Sequence, residues 1–122
     1  LSMAYLVIAP GMAAGRVGQA QPLPREDSDL VVSHALAGQY LGMKYIYLEA
    51  GSGALEPVPD AIISAVKNAT DVILIVGGGI RTPLAASNAV AAGADIIVTG
   101  TLVETSARLK EDMSLLIKSI HS

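Results

Sequence analysis

The stretch that decides the fold of this chain is Val72-Ile73-Leu74-Ile75-Val76-Gly77-Gly78-Gly79-Ile80-Arg81-Thr82-Pro83. Its first five residues are all apolar, which is typical of a parallel strand buried on both faces. At its other end, Thr82 is a good N-cap and Pro83 suits the first position of a helix. The sequence therefore predicts a strand, a turn of three glycines and a helix in direct succession.

The three glycines favour a phosphate site. Glycine lets the backbone approach a ligand closely, and the N–H groups at the start of a helix favour an anion. A single glycine would be explained by the steric needs of a tight turn. Three in a row, followed by an N-cap and a proline, favour phosphate binding.

A second strand also ends in glycine. The segment Asp95-Ile96-Ile97-Val98-Thr99-Gly100-Thr101 follows a helix end that Gly93 closes. In (β/α)₈ barrels the phosphate site is often built from the loops after strands seven and eight. If these are those strands, the candidate phosphate donors are Gly78, Gly79, Gly100 and Thr101.

Composition excludes several classes of protein. The 122 residues are 52% hydrophobic, enough for a sizeable core in one domain. There is no cysteine, which excludes disulfides and cysteine metal sites and fits a cytoplasmic location. The net charge is −3 and the eight basic residues are scattered, so no nucleic-acid partner is expected. We find no apolar run of the ~18 residues that span a membrane, and no signal-peptide pattern at the start.

The rest of the chain continues the alternation of strands and helices. We predict strands over 4–9, 44–49, 72–76 and 95–100, and helices over 30–41, around 62–66, over 82–92 and over 109–120. These make four β/α units in an α/β fold, which is half of a (β/α)₈ TIM barrel, with the helices on its outer face. A complete barrel takes ~250 residues. Residues 1–122 are therefore interpreted as part of a single barrel domain.

Glu49 stands out among the acidic residues because it closes an otherwise apolar strand. Period-two alternation places Tyr47 and Glu49 on one face, with Ile46 and Leu48 on the other. With the aliphatic face against the helices, Tyr47 and Glu49 would point into the barrel mouth, where polar residues usually bind ligand or do chemistry. The alternative is a structural carboxylate that caps the helix N-termini after Gly51.

Other polar residues are weaker candidates. Ser52 either donates a hydrogen bond to a ligand or caps the following turn, and Arg81 either contacts phosphate or forms a surface ion pair. Arg25 in the long first loop, like Arg16, is a candidate anion contact. Tyr5 and Tyr45 are expected in the core, and His34 is expected on the surface of a helix or as a hydrogen-bonded core residue.

Several segments together resemble the geranylgeranylglyceryl phosphate synthase family, archaeal prenyltransferases with bacterial relatives. The main ones are Tyr47-Leu48-Glu49-Ala50-Gly51-Ser52-Gly53-Ala54, Gly77-Gly78-Gly79-Ile80-Arg81 and Ile97-Val98-Thr99-Gly100-Thr101. Residues 15–20, 23–25 and 35–42 are also similar to that family. The resemblance covers nearly the whole chain in order, and it matches the family's carboxyl-terminal half, strands five to eight.

The resemblance implies an activity and a site. In such enzymes sn-glycerol 1-phosphate attacks C1 of a polyprenyl diphosphate, which forms an ether in ether-lipid biosynthesis and releases diphosphate. Glu49 would be the catalytic proton acceptor. The residues implied to bind glycerol phosphate are Tyr47, Glu49, Ser52, Gly78, Gly79, Gly100 and Thr101. Many members of the family carry Asn at the position of Thr101.

The resemblance also bears on cofactor and partners. It implies Mg²⁺ held by acidic residues near the family's first strand, so no metal ligand is expected in residues 1–122, and these residues alone are expected to be inactive. The lipid substrate implies proximity to a membrane surface. A half barrel leaves open sheet edges and an apolar inner face, so a homo-oligomer is expected.

Two other interpretations stay open. One is a different phosphate-binding barrel enzyme that acts on a sugar phosphate. The combination of residues 47–49 and 51–53 argues against this interpretation. The other is a non-catalytic half barrel that binds phosphate or serves as an assembly unit.

Overall fold

A computed structural model describes residues 2–9, 22–51, 54–99 and 102–105 of the chain. Strands and helices alternate along these residues, and a short additional strand comes last. The elements are β1 (Met3–Val7), α1 (Ser28–Tyr40), β2 (Tyr45–Glu49), α2 (Asp60–Ala69), β3 (Ile73–Gly77), α3 (Pro83–Ala92), β4 (Ile96–Thr99) and β5 (Leu102–Thr105).

The strands form one sheet in sequence order. Strands β1 to β4 are parallel to one another. Their register places Val7, Glu49, Gly77 and Val98 in a single row across the sheet. Because the strands run in the same direction, the carboxyl ends of β1 to β4 lie at one edge of the sheet.

The three helices cover one face of this sheet. Leu48, Leu74 and Ile97 point to that face and form one buried cluster with Val31 of α1 and Ile62 of α2. Neighbouring helices pack side by side in chain order. On the opposite face, which no described helix covers, large side chains stay exposed (Met3 37%, Tyr5 54% and Ile73 39%). Four parallel strands in sequence order with helices on one face form half of a (β/α)₈ barrel, which confirms the predicted fold class.

The helix termini follow the sequence signals. The Asp27 side chain accepts a hydrogen bond from the Leu30 N–H (3.0 Å), and the Thr82 side chain accepts one from the Ala85 N–H (3.1 Å). Gly93 ends α3 with φ +129°, a backbone conformation that side chains disfavour. None of the helices in the described part of the chain has the length and apolarity needed to cross a membrane.

Strand β5 was not predicted. The sequence pattern predicts a helix over 109–120 directly after the fourth strand, and that segment lies outside the described residues. Instead Leu102–Thr105 pairs antiparallel with β4, with Thr99 opposite Leu102 and Ile96 opposite Thr105. An open edge of β4 would present unpaired backbone groups, and a segment that contains Val103 and Thr105 has the β-branched side chains that suit a strand.

Candidate functional site

The candidate site lies at the carboxyl edge of the sheet, on the face that no described helix covers. Tyr47 and Glu49 of β2 point to this face, as the alternation in the sequence predicted. Tyr5 of β1 is paired with Tyr47, and Gly77 of β3 is paired with Glu49. The parallel register therefore brings two tyrosines, a carboxylate and the start of the glycine run together.

Glu49 is the one charged side chain that is buried among the described residues, with 8% of its surface exposed. Its Oε1 accepts a hydrogen bond from the Gly51 N–H (3.1 Å). A buried carboxylate requires such donors. Through its contact with Gly51, Glu49 also stabilises the turn after β2. A structural role of this kind was the alternative interpretation of Glu49 in the sequence.

The two tyrosines form a tilted pair beside this carboxylate. Their ring centroids are 5.1 Å apart and the ring planes are inclined by 37°. Burial raises the pKa of Tyr47 well above its ordinary value, and the charge of Glu49 raises this pKa further. Burial and the charge of Glu49 also raise the pKa of Tyr5. Both hydroxyls therefore stay protonated at neutral pH and can donate hydrogen bonds to a ligand or to Glu49.

The lack of a side chain at Gly77 leaves space for the Tyr47 hydroxyl and the Glu49 carboxylate of β2. A Cβ at this position would lie 2.5 Å from the Tyr47 hydroxyl oxygen and 3.2 Å from Glu49 Oε2. Because real side chains do not approach that closely, glycine is required at the end of β3 for Tyr47 and Glu49 to occupy their positions.

The next two glycines shape the predicted phosphate cradle, which consists of Gly78 and Gly79 and the start of α3. Both have positive φ, +87° and +73°, which favours glycine. A Cβ on Gly78 would lie 2.7 Å from Glu49 Oε1 and 2.8 Å from the Gly51 nitrogen. A Cβ on Gly79 would lie 2.6–2.7 Å from the peptide that joins Glu56 to Pro57. No described residue accepts a hydrogen bond from the Gly78 or Gly79 N–H, so both can serve an anion at the start of α3.

Some predicted contributors to the site cannot be placed. Ser52, Gly100 and Thr101 lie outside the described residues, as does Arg16. Arg81 is exposed, and neither of the ion pairs formed among the described residues includes it. His34 lies exposed on α1, where its ring Nδ1 donates to the Leu30 carbonyl (2.9 Å).

Tyr5 is the site residue that sequence reasoning missed. It was expected in the core, and that prediction was wrong, because 54% of its surface is exposed and its ring packs on Tyr47. The alternation within β1 already placed it on one face of its strand. The sequence does not reveal the register between β1 and β2, because these two parallel strands are separated by a long loop.

Arg25 is held by protein groups. Its guanidinium donates to the Pro57 carbonyl (2.8 Å) and forms an ion pair with Glu56 (3.4 Å). It also donates to the Ala9 carbonyl (3.5 Å). The sequence indicated Arg25 as a candidate contact for an anion. In the structure its guanidinium binds protein groups instead and joins two loops.

A metal site is not apparent in this part of the chain. Among the described residues there is no group of three or more His, Cys, Asp or Glu side chains that could hold a metal ion. The residues described here therefore do not form the oxygen ligand set that Mg²⁺ prefers.

Four parallel strands in sequence order, with helices on one face and polar residues at their carboxyl edge, define the class of β/α-barrel proteins. Within that class, the chain matches the model of the PcrB family over residues 1–120 and belongs to this family.

Named relatives agree with the family resemblance seen in the sequence. The chain is 53% identical over 111 residues to geranylgeranylglyceryl phosphate synthase from Pyrococcus furiosus, an alignment that covers 91% of the chain and 44% of the relative. It is 49% identical over 122 residues to the protein of the same name from Methanothermobacter marburgensis, which covers 100% of the chain and 50% of the relative. The chain thus spans about half the length of the curated relatives it matches.

Solved structures confirm the fold. One is the crystal structure of (S)-3-O-geranylgeranylglyceryl phosphate synthase from Thermoplasma acidophilum in complex with substrate sn-glycerol-1-phosphate. It matches with a TM-score of 0.78 and 54% identity, over 81% of this chain and 40% of that one. The wild-type GGGPS from Thermoplasma volcanium matches with a TM-score of 0.80 and 48% identity, over 95% of this chain and 47% of that one.

Proposed function

We propose that residues 1–122 are the carboxyl-terminal half, strands five to eight, of a single-domain prenyltransferase barrel. The complete enzyme would join sn-glycerol 1-phosphate to a polyprenyl diphosphate in ether-lipid biosynthesis. The observation that carries this proposal is the 54% identity to an enzyme whose crystal structure holds sn-glycerol-1-phosphate as substrate. The meeting of the glycine loop with Glu49 and Tyr47 in this chain supports it.

The phosphate of the substrate would bind to the cradle. Backbone N–H groups of Gly78 and Gly79 and the amino end of α3 are donors suited to an anion. Gly100 and Thr101, after the neighbouring strand β4, are proposed to complete this site, and Ser52 to contact the substrate from the loop after β2. These three residues enter the proposal on the sequence pattern alone.

The glycerol hydroxyls would bind to Tyr47 and Glu49. The glycine cradle and Glu49 are in direct contact, since a Cβ on Gly78 would overlap the carboxylate. A molecule with a phosphate in the cradle therefore presents its hydroxyls near Glu49 and Tyr47. Holding the attacking alcohol in this way removes much of the entropic barrier of a reaction between two substrates.

In the chemical step, Glu49 is proposed to act as general base. The glycerol hydroxyl oxygen would form a bond to C1 of the prenyl chain while the bond from C1 to the diphosphate oxygen breaks. The hydroxyl proton passes to the Glu49 carboxylate, and the bonding electrons leave with the diphosphate. The Gly51 N–H fixes the direction of the carboxylate, and the Tyr47 hydroxyl and Glu49 Oε2 lie on the same side of Gly77.

Mg²⁺ is the proposed cofactor, because a departing diphosphate requires compensation of its charge. Since the described residues do not form a ligand set for it, the ion would be held by residues of the amino-terminal half, and we assign it no ligand in this chain.

The remaining proposals concern partners and location. The second substrate is proposed to be a polyprenyl diphosphate, which brings the enzyme near a membrane surface. A homo-oligomer is proposed for the 122-residue chain on its own, because Met3, Tyr5 and Ile73 leave apolar surface on the sheet face that the other half of a barrel would cover. The cytoplasmic location stays a prediction that rests on the absence of cysteine.

The decisive experiment needs a complete barrel. The chain would be joined behind the amino-terminal half of the Methanothermobacter marburgensis relative, and this protein is called the completed barrel below. It is incubated with Mg²⁺, sn-glycerol 1-phosphate and labelled geranylgeranyl diphosphate, and ether product is measured. Control reactions replace glycerol phosphate by sugar phosphates. A folded protein that binds sn-glycerol 1-phosphate and forms no ether would exclude the reaction, and a product with sugar phosphates alone would favour the other barrel class.

A further inference from the structure

Arg25 lies next to the wall of the phosphate cradle without being part of the cradle. Only 18% of its side chain is exposed. Its strongest contact is the 2.8 Å hydrogen bond to the Pro57 carbonyl, and the same nitrogen pairs with the Glu56 carboxylate at 3.4 Å. Both partners belong to the loop that follows β2.

The same two residues, Glu56 and Pro57, pack on Gly79. The peptide that joins them lies 2.6–2.7 Å from the position that a Gly79 Cβ would take. This peptide therefore forms one wall of the turn whose positive φ angles shape the cradle. A shift of Glu56 and Pro57 would leave Gly79 without that support.

The backbone next to Arg25 is itself fixed to the sheet. Leu23 is 9% exposed and forms a parallel bridge with Ile8. Its N–H donates to the Val7 carbonyl and its carbonyl accepts from the Ala9 N–H, both at 2.7 Å. Arg25, two residues further on, thus extends from a segment bound to the end of β1.

We propose that Arg25 is a positioning residue for phosphate binding. It connects the end of β1 to Glu56 and Pro57, and through them it holds Gly79 in the conformation that presents its N–H to the phosphate. The inference rests on the proposed function, because the phosphate is taken to be that of glycerol phosphate. It assigns Arg25 no contact with the ligand.

The test compares Arg25→Met and Arg25→Lys in the completed barrel. The Met variant loses the hydrogen bonds to the Pro57 carbonyl and to Glu56. Lysine keeps the charge, but its single ammonium cannot reproduce the planar fork whose two nitrogens reach the Ala9 carbonyl and the Pro57 carbonyl. We expect both variants to bind sn-glycerol 1-phosphate about tenfold more weakly by calorimetry, the size of one hydrogen bond to a charged group. The KM for glycerol phosphate should rise while kcat and the KM for the prenyl diphosphate change little.

The matched control is Lys67→Met. Lys67 also forms an ion pair, with Asp95 at 2.6 Å, but this pair lies at the amino end of β4, at the opposite edge of the sheet. This variant should lose stability and keep the affinity for glycerol phosphate. Equal affinity losses in Arg25→Met and Lys67→Met would reduce the role of Arg25 to general stability and overturn the proposal.

Glu56→Ala separates positioning from direct contact with the phosphate. If Arg25 binds phosphate directly, the removal of its competing carboxylate should tighten binding, and Arg25→Lys should retain most of the affinity. Either result would overturn the proposal. With positioning, Glu56→Ala is expected to weaken binding by less than about threefold, because the exposed pair contributes little and the Pro57 hydrogen bond remains.

Hydrogen exchange tests the proposal independently of the ligand. In Arg25→Met the amides of residues 77–82 should exchange faster than in the unchanged protein, whereas in Lys67→Met they should not. Protection that stays the same in Arg25→Met would overturn the positioning role. A completed barrel with normal exchange behaviour that does not bind glycerol phosphate would instead contradict the proposed function.

Discussion

Substitution of Gly78 by alanine should damage both the cradle and the carboxylate next to it. The residue has φ +87°, and an alanine in this left-handed region costs about 1–2 kcal/mol. The added Cβ would also lie 2.7 Å from Glu49 Oε1, 2.8 Å from the Gly51 nitrogen and 2.9 Å from the Ala50 nitrogen. Two of these neighbours are backbone atoms, so relief requires a shift of the main chain, for which overpacking values of about 1–3 kcal/mol apply.

Gly42 offers a matched control for this substitution. Its φ is +94°, close to that of Gly78, but a Cβ there would have no neighbour within 4 Å. Gly42→Ala should therefore cost only the conformational part, about 1–2 kcal/mol. Gly78→Ala should cost about 2–5 kcal/mol in total, a large share of the ~5–15 kcal/mol that stabilises a folded protein.

Two measurements on the completed barrel check this reasoning. Denaturant unfolding of both variants gives the difference in the free energy of unfolding. Calorimetry with sn-glycerol 1-phosphate should show unchanged affinity in Gly42→Ala and a loss in Gly78→Ala. Equal destabilisation of the two variants would refute the close packing of Gly78 on Glu49 and on the turn after β2. Unchanged affinity in Gly78→Ala would remove this residue from the phosphate site.

Three further predictions concern the carboxylate, its tyrosine and the half barrel. Glu49→Gln keeps an acceptor for the Gly51 N–H and loses the proton acceptor, so turnover should fall by ~10²–10⁴-fold with little change in stability; full activity would leave Glu49 a structural role. Because the pKa of Tyr47 is raised in the folded protein, the unfolded chain releases this proton first, and stability should fall as the pH rises above about 10. Tyr47→Phe should lessen that fall in pH-dependent unfolding, and an identical pH profile would contradict the shift. The 122-residue chain by itself should form no ether product with Mg²⁺ and both substrates, and product well above background would show that it supplies the metal ligands.

Much of the fold was accessible from the sequence because local signals agreed with one another. The apolar run before Gly77, the N-cap at Thr82 and the closing Gly93 each act within a few residues, and the structure places a strand end, a helix start and a helix end there. The face on which Tyr47 and Glu49 lie followed from strand alternation. This alternation depends only on the two-residue period of a strand.

Features that depend on contacts between distant segments were not accessible. Tyr5 pairs with Tyr47 through a register set across 42 positions of sequence, and Arg25 reaches Pro57 across 32. The pairing of Leu102–Thr105 with β4 depends on which sheet edge is open, which no local pattern encodes. The sequence also indicated Glu49 as a candidate base, while its bond to the Gly51 N–H became visible only in three dimensions.

The three consecutive glycines have a consequence for how this family can diverge. Each packs on a different neighbour: Gly77 on the Tyr47 hydroxyl, Gly78 on the Glu49 carboxylate, and Gly79 on the peptide after Glu56. A lineage that acquired a side chain at Gly77 could compensate with a shorter residue in place of Tyr47, whereas a side chain at Gly78 or Gly79 would meet backbone atoms and would require a shift of the main chain. The run should therefore be inherited as a unit together with these neighbours, and a homologue that has lost one of the glycines is expected to have changed its substrate as well.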